Sequence, residues 1–264
     1  MHDSPMKKTW FVFLPRPLAA LALMGCGLFL ACIGQSVAAA PFEDTMAQRT
    51  LACTACHGAQ GRAAPDGYYP RLAGKPVGYL YNQLLNFREG RRHYGLMTQL
   101  IDPLSDAYLL EMAQHFSKLE VPYPAPLPSP ASAEVLHLGR QLAMQGDASR
   151  KVPACAQCHG QAMTGVAPNI PGLLGLPRDY LNAQLGAWKA GQRRAYAPDC
   201  MNDVVARLSL EDINAVASWI AAQPLPANTH PATSLPALAP ASTAIPCGSA
   251  PQAATSLLHT KAQK

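Results

Sequence analysis

Cys53-Thr54-Ala55-Cys56-His57-Gly58 and Cys155-Ala156-Gln157-Cys158-His159-Gly160 are two copies of one pattern, set 102 residues apart in a chain of 264. The core of each copy, Cys-x-x-Cys-His, is the spacing at which a c-type haem is attached. Two thiols so placed bond to the vinyl-derived carbons of one porphyrin edge, and the imidazole that follows is held where it can ligate the iron. Other chemistries use the same letters. A structural zinc site needs four ligands, usually two cysteine pairs close enough to share one metal. Here the pairs lie in separate repeats, each with its own histidine. A thioredoxin-like redox pair needs a βαβ setting, and no strand pattern surrounds either copy. The expectation is two covalently bound haem c groups, one held by Cys53 and Cys56, the other by Cys155 and Cys158. His57 and His159 then ligate the two irons.

Repetition extends well beyond the motif. Pro70-Arg71-Leu72-Ala73-Gly74-Lys75-Pro76 is followed by Tyr79-Leu80 and Gln83-Leu84; Pro171-Gly172-Leu173-Leu174-Gly175-Leu176-Pro177 is followed by Tyr180-Leu181 and Gln184-Leu185, at a constant offset of 101. The register continues to Phe87 and Trp188, and to Gly90 and Gly191. Leu104-Ser105 then matches Leu208-Ser209 at an offset of 104. Duplication of a unit of roughly ninety residues accounts for this, since chance would not keep the register.

Each unit reads as helical with long loops. Residues 77–89 and 178–190 carry apolar side chains at helical spacing, among them Leu80, Leu84 and Phe87, then Leu181, Leu185 and Trp188. Ser105 and Ser209 are N-cap residues for a closing helix in each unit, with Asp106, Glu111, Glu211 and Asp212 near the N-terminal turns. Those helices are expected to end near Lys118 and Ala222, where Pro224 follows the second. Between the units, prolines 122, 124, 126, 128 and 130 recur at every second position. Such a run enters neither helix nor sheet interior and forms a stiff extended spacer. After Gln223 the chain is rich in Pro, Ala, Ser and Thr, a composition that predicts disorder or a surface-hugging extension. A unit this small is short of core, and a haem supplies the missing apolar mass, so apo-protein is expected to be largely unfolded.

An iron held by His57 or His159 has one axial position left. Methionine there raises the reduction potential, because a soft thioether favours the ferrous state. Met97 lies seven residues before Leu104, and Met201 seven before Leu208. Both fall in the loop between a middle and a closing helix, far enough from the motif to cover the opposite ring face. Met46, Met112, Met144 and Met163 do not share that matched place and are read as packing residues. His93 has no counterpart in the second repeat, His115 falls within the closing helix, and Cys200 neighbours Met201 as a competing thiolate. A backbone carbonyl is expected to accept the other ring N–H of each histidine, with Pro65 and Pro168 as sources. Gly58 and Gly160 relieve crowding directly after the ligand.

The first forty residues read as a secretory signal peptide. Lys7 and Lys8 precede an apolar run from Trp10 to Ile33, and Ser36-Val37-Ala38-Ala39-Ala40 offers small residues for cleavage. Pro15 and Pro17 interrupt the run, which weighs against a retained anchor, and neither Cys26 nor Cys32 sits in a convincing lipidation site. Four of the eight cysteines belong to haem and two leave with the leader, so Cys200 and Cys247 remain as a candidate disulfide in an oxidising compartment. Without Lys7, Lys8, Arg16 and Asp3 the formal charge of +5 falls to +3. Haem propionates bring it closer to neutral. No concentrated Lys/Arg patch suggests nucleic acid.

On these residues the chain resembles the dihaem class I cytochromes c of the cytochrome c4 type. The resemblance spans about Glu43 to Gln223 and rests on the two motifs, the Pro-x-Leu-x-Gly stretch, the Tyr-Leu-x-x-Gln-Leu helix and the methionine before Leu-Ser. It implies an all-α fold of two tandem cytochrome c domains; along the chain these are expected at residues 41–120 and 132–224, joined by the proline-rich linker 121–131, with the leader 1–40 and the Pro/Ala-rich tail 225–264, mostly disordered or hugging the surface, outside the resemblance. It also implies packing with the haem propionate edges close together, and iron ligation by His57 with Met97 and by His159 with Met201. Departures from the pattern are Cys200, the long tail, three extra residues between Gly191 and Met201, and two extra between Pro65 and Pro70.

The implied role is a periplasmic electron carrier between respiratory redox partners, such as a membrane dehydrogenase or oxidase, passing electrons toward a terminal oxidase. It has no catalytic residues, no small-molecule substrate and at most a peripheral association with the membrane. A dihaem oxidoreductase of thiosulfate dehydrogenase or peroxidase type would instead need a thiolate, or an open or displaceable position, at one iron. A third reading is the cytochrome subunit of a larger dehydrogenase, with the tail as a docking arm.

Overall fold

The structure is a computed structural model that describes residues 43–64, 67–126, 128–235 and 245–250. The signal-peptide reading and part of the tail lie outside the described residues. Those from Asp44 onward belong to one compact unit, and the register of the repeat organises it. In the first half, Met46–Arg49 and Leu51–His57 meet at Thr50, whose buried hydroxyl donates to the Met46 carbonyl at 2.7 Å. Val77–Arg88, Gly95–Ile101 and Asp106–Ser117 follow. In the second half, Ala133–Met144 and Cys155–His159 are followed by Arg178–Lys189, Cys200–Ala206 and Leu210–Ala221. The middle and closing helices thus start and stop within a residue of where the apolar spacing and the serines place them.

The all-α expectation holds with one addition. Gly165–Val166 and Ile170–Pro171 form a two-residue antiparallel pair in the second half. The capping residues act as read. Ser105 accepts from the Tyr108 amide at 3.3 Å. Ser209 and Asp212 form a reciprocal capping box, Asp212 N–H to Ser209 Oγ at 3.0 Å and Ser209 N–H to Asp212 Oδ2 at 2.8 Å, worth about 1 kcal/mol of helix stability.

The second half packs its closing helix across Ala133–Met144, and Gly139 is the reason they can touch. A Cβ there would lie 2.1 Å from the Ala215 carbonyl oxygen. Leu142, Ala143, Val216, Ala217 and Ile220 close around that crossing. Burying each of the larger side chains contributes roughly 1.5–3 kcal/mol. In the first half the corresponding cluster is Leu85, Phe87, Ile101, Leu109 and Met112. Met112 and Met163 are buried and Met46 and Met144 pack against the cores, as a packing role requires.

Residues 121–126 and 128–130 have no helix or strand and run along the body of the protein. Arg71 donates to the carbonyls of Val121 and Pro122, the latter at 3.2 Å, and its guanidinium stacks 3.7 Å from the centre of the Tyr123 ring. The segment after Gln223 lies against the surface wherever it is described. The Ala167 amide donates to Ala232 O and the Ala232 amide to Gly165 O, both at 2.9 Å. Ala250 is buried with Val166 and Ile170, and Asn82 of the first half donates to the Ser249 carbonyl at 3.2 Å. Among the described residues, no helix is long and apolar enough to cross a membrane.

Candidate functional site

Both Cys-x-x-Cys-His copies end a short helix, Leu51–His57 and Cys155–His159. Each helix stops where a glycine takes over. Gly58 and Gly160 have φ of 75° and 85°, a region costly for other residues, and a Cβ on Gly58 would sit 2.3 Å from the Ala63 oxygen. The turn sends the chain back beneath the histidine. There the Nδ1–H of His57 donates to the Pro70 carbonyl and that of His159 to the Pro171 carbonyl, both at 2.7 Å. A carbonyl can only accept, so the proton sits on Nδ1 and Nε2 keeps its lone pair for a metal. The carbonyls are not those of Pro65 and Pro168, as counting from the histidines suggests. Pro65 lies outside the described residues, and the Pro168 carbonyl accepts instead from the Tyr79 amide at 3.1 Å. The usable signal was the register itself, because Pro70 and Pro171 are 101 residues apart, like the rest of the repeat.

Both histidines are buried, which lowers their pKa and keeps the imidazoles neutral, as metal ligation requires. The four motif cysteines are not joined to one another. Burial pushes the Cys155 thiol up to about 11 and raises Cys53 as well, whereas Cys158, like Cys56, is exposed. A dithiol redox centre works through a lowered thiol pKa, so these pairs are poor candidates for thiol exchange. Among the described residues, no three histidine, cysteine or acidic side chains converge as a metal cluster.

Met97 and Met201 are both half-buried. They sit on short helices, Gly95–Ile101 and Cys200–Ala206, rather than in open loops. Nearly two turns of helix fix a side chain more firmly than a loop, at matched places in both halves. His57, Met97, His159 and Met201 line one continuous cavity of about 1850 Å³, together with Cys53, Cys155 and Cys158. Cys56 is exposed. The cavity passes from one half to the other, so the two sites share a wall of protein. Of the competing ligands, Cys200 is joined to Cys247 by a disulfide with a Cα separation of 4.9 Å. His93 is exposed, and His115 packs on Phe116 with ring centres 5.2 Å apart.

Where the halves meet, four side chains at matched positions close a ring. Arg92 donates to Gln83 Oε1 at 3.0 Å and to Gln184 Oε1 at 2.7 Å. Arg193 donates to Gln184 Oε1 at 2.6 Å and to Gln83 Oε1 at 3.0 Å. Each guanidinium also stacks on an aromatic ring, Arg92 on Phe87 at 4.5 Å and Arg193 on Trp188 at 3.8 Å. Nearby, the Lys75 ammonium donates to the Gly172 carbonyl at 2.8 Å. Among the described residues none of the three cations has a carboxylate partner. Burial draws Lys75 down to about 7 and Arg193 to about 10. Uncompensated buried cations are costly, and a group bearing carboxylates would complete them. Free thiol pairs, neutral oriented imidazoles, a large cavity and cations without anions together fit a haem in each half. No sequence pattern points to the ring, since neither arginine belongs to a motif.

The chain matches no protein-family model. It is 41% identical over 215 residues to the thiosulfate dehydrogenase electron acceptor of Thiomonas intermedia, covering 81% of this chain and 94% of that protein. The solved structure of reduced recombinant cytochrome c4 from Pseudomonas stutzeri superposes with a TM-score of 0.58 at 30% identity, over 70% of this chain and 99% of that one. Thiosulfate dehydrogenase from Marichromatium purpuratum, in its as-isolated form, superposes with a TM-score of 0.59 at 33% identity over 66% of this chain. This chain spans 36% of that longer protein.

Proposed function

Because the chain belongs to the cytochrome c4 family of dihaem class I cytochromes c, and so carries two covalently bound haem c groups, we propose that it accepts electrons from a thiosulfate-oxidising dehydrogenase and passes them toward a terminal oxidase in the periplasm. A dihaem cytochrome of this family transfers electrons; the donor, acceptor and compartment are the finer reading. The donor is supported by the 41% identity with an electron acceptor of thiosulfate dehydrogenase that this chain covers almost end to end. The leader 1–40 supports export. Units 41–120 and 132–224 are read as holding one haem each, about the segment 121–131.

The observation that carries the reading is the shared lining of one cavity by two matched histidine–methionine pairs. Cys53, Cys56, Cys155 and Cys158 would attach the haems, His57 and Met97 would ligate one iron, and His159 and Met201 the other. When bound, each haem supplies a one-electron couple at iron. The protein does the rest. The Pro70 and Pro171 carbonyls fix the tautomer and direction of the two imidazoles, so little reorganisation accompanies a change of charge. The apolar clusters around Leu85 and Leu142 exclude water. If Met97 and Met201 complete the two irons, neither would have an open position, and Cys200, tied to Cys247, would not be free as a thiolate ligand; both points favour a carrier over a dihaem enzyme.

Two measurements test this. The oxidised protein is expected to show the weak near-infrared methionine–iron band with an intensity for two haems, and its absence refutes the ligand assignment. Mixing with a thiosulfate dehydrogenase and thiosulfate is expected to reduce both haems far faster than thiosulfate alone. A protein that dithionite reduces but the dehydrogenase does not has another donor.

A further inference from the structure

Lys75 breaks the symmetry of the repeat at the place where the two halves share their cavity. Its matched position in the second half is Leu176. The lysine is 4% exposed and lines the cavity. It donates across the seam to the carbonyl of Gly172, the residue after Pro171, whose own carbonyl holds the His159 ring. An ammonium has three protons to place, and among the described residues this side chain finds a single acceptor and no carboxylate. Arg92 and Arg193 sit at matched positions, so their charges serve both halves alike. Lys75 does not.

We propose that Lys75 is a cross-seam tuning residue for the second haem: the first half lends it a cation that favours its reduced form over that of the first. The physical reason is direct. Adding an electron beside a poorly solvated ammonium is more favourable than adding it elsewhere. Carboxylates of a haem bound in the shared cavity would supply anions for the ammonium. With haems in both halves, one electron leaving the first iron, as ferrous becomes ferric, would be held at the second, as ferric becomes ferrous. The direction of internal transfer follows from one unmatched side chain. Lys75 touches no iron ligand and acts as a positioning and charge-bearing residue. The proposal rests on the reading that His159 and Met201 hold the second iron.

The test is a spectroelectrochemical titration of the intact dihaem protein with three chains: wild type, Lys75→Met and Lys75→Gln. The axial-methionine proton signals report which haem is reduced. Haem content and the near-infrared band of each chain are read first, so that a failure of the ligand reading shows separately. Lys75→Met is expected to shift the sharing of one electron away from the second haem by on the order of tenfold, with the first haem's potential unchanged. Lys75→Gln keeps an N–H for Gly172 without the charge and is expected to shift it equally. Equal shifts at both haems, or none at either, would overturn the proposal. A shift in Lys75→Met that Lys75→Gln restores to the wild-type value would overturn it too, since the hydrogen bond and not the charge would then be at work.

Discussion

Gly95–Ile101, which bears Met97, and Cys200–Ala206, which bears Met201, occupy matched places in the repeat but are restrained very differently. The first has Tyr94 at its N-cap with no side-chain bond. It is held by Thr98 Oγ1 to the Phe87 carbonyl at 3.3 Å and, beyond its end, by Arg88 to Leu104 O at 3.1 Å. Leu96 and Leu100 on it are 63% and 43% exposed. The second is capped by Asp199, which accepts from the amides of Asn202 at 3.1 Å and Ala195 at 2.7 Å and from the Trp188 indole at 3.4 Å. Lys189 donates to the carbonyls of Ala206 at 3.1 Å and Leu208 at 2.5 Å, and the disulfide straps the tail to its first residue. One ligand pattern is therefore carried on a loose arm and on a braced one. Small motions of an arm decide how readily its sulfur leaves a metal, so the two sites should differ in lability more than in ligand identity.

The comparison breaks most severely if one half loses its cofactor. Cys155→Ala with Cys158→Ala is expected to halve the haem content by pyridine haemochrome and to unfold the second half, seen as a loss of about half the far-ultraviolet helical signal. Full helicity would show that the half folds without its haem. A smaller effect comes from the sulfur itself: Met201→Ala and Met97→Ala should each remove half of the near-infrared band and lower one potential only. Equal shifts at both haems would mean the sites are not separable.

Removing the brace should bring the arms together. Cys247→Ser is expected to cost the second half roughly 2–4 kcal/mol, measured by denaturant loss of the Met201 signal. Asp199→Ala should cost about 1 kcal/mol more locally. In the wild type, cyanide is expected to displace Met97 faster than Met201, and in these variants the two rates should converge. The mildest lever is acid. Ser149 and Arg150 hold the Asp147 carboxyl down to about 2 from 3.8, whereas the residue 102 positions earlier, at the offset of the two Cys-x-x-Cys-His copies, is Thr45, which carries no charge. A carboxylate lowered on folding stabilises above its unfolded pKa, and that contribution fades as pH falls from about 4 toward 2. The second half should therefore gain acid sensitivity that Asp147→Asn abolishes, read as the pH midpoint of its haem band.

Much of this site was legible because it repeats. An offset of 101 placed the middle helices and the two Cys-x-x-Cys-His copies, 102 residues apart, marked both histidines, but counting from the histidine picked the wrong prolines although the same offset of 101 relates Pro70 to Pro171. Chain distance misled there because Gly58 turns the loop back, and the Ala63 amide donates to His57 O at 2.8 Å. The methionine helices were missed as helices because seven residues with glycine or cysteine at the start carry too little periodicity to read. The Arg92–Gln83–Arg193–Gln184 ring was invisible for a different reason. Pairing across the seam depends on how the halves sit together, which no pattern within either half encodes. Lys75 hid in plain view, since a search for matches passes over the mismatch with Leu176. The tail's composition left disorder and a surface-hugging extension both open, because its contacts with Val166, Asn82 and Pro198 arise from backbone groups, one disulfide and the small apolar Ala250, which composition does not locate.

Because both members of that ring come from equivalent positions, each half offers the other the same donor and the same acceptor. This is an isologous contact, the kind a twofold axis builds between identical subunits. A lone half would meet its own twin through the same lock, and the tether only raises the local concentration of a mate already complementary. The molecule is in effect a homodimer written as one gene. Fusion is what made Lys75 possible: between true twins any residue gained on one face appears on both, and an electron would have no preferred side.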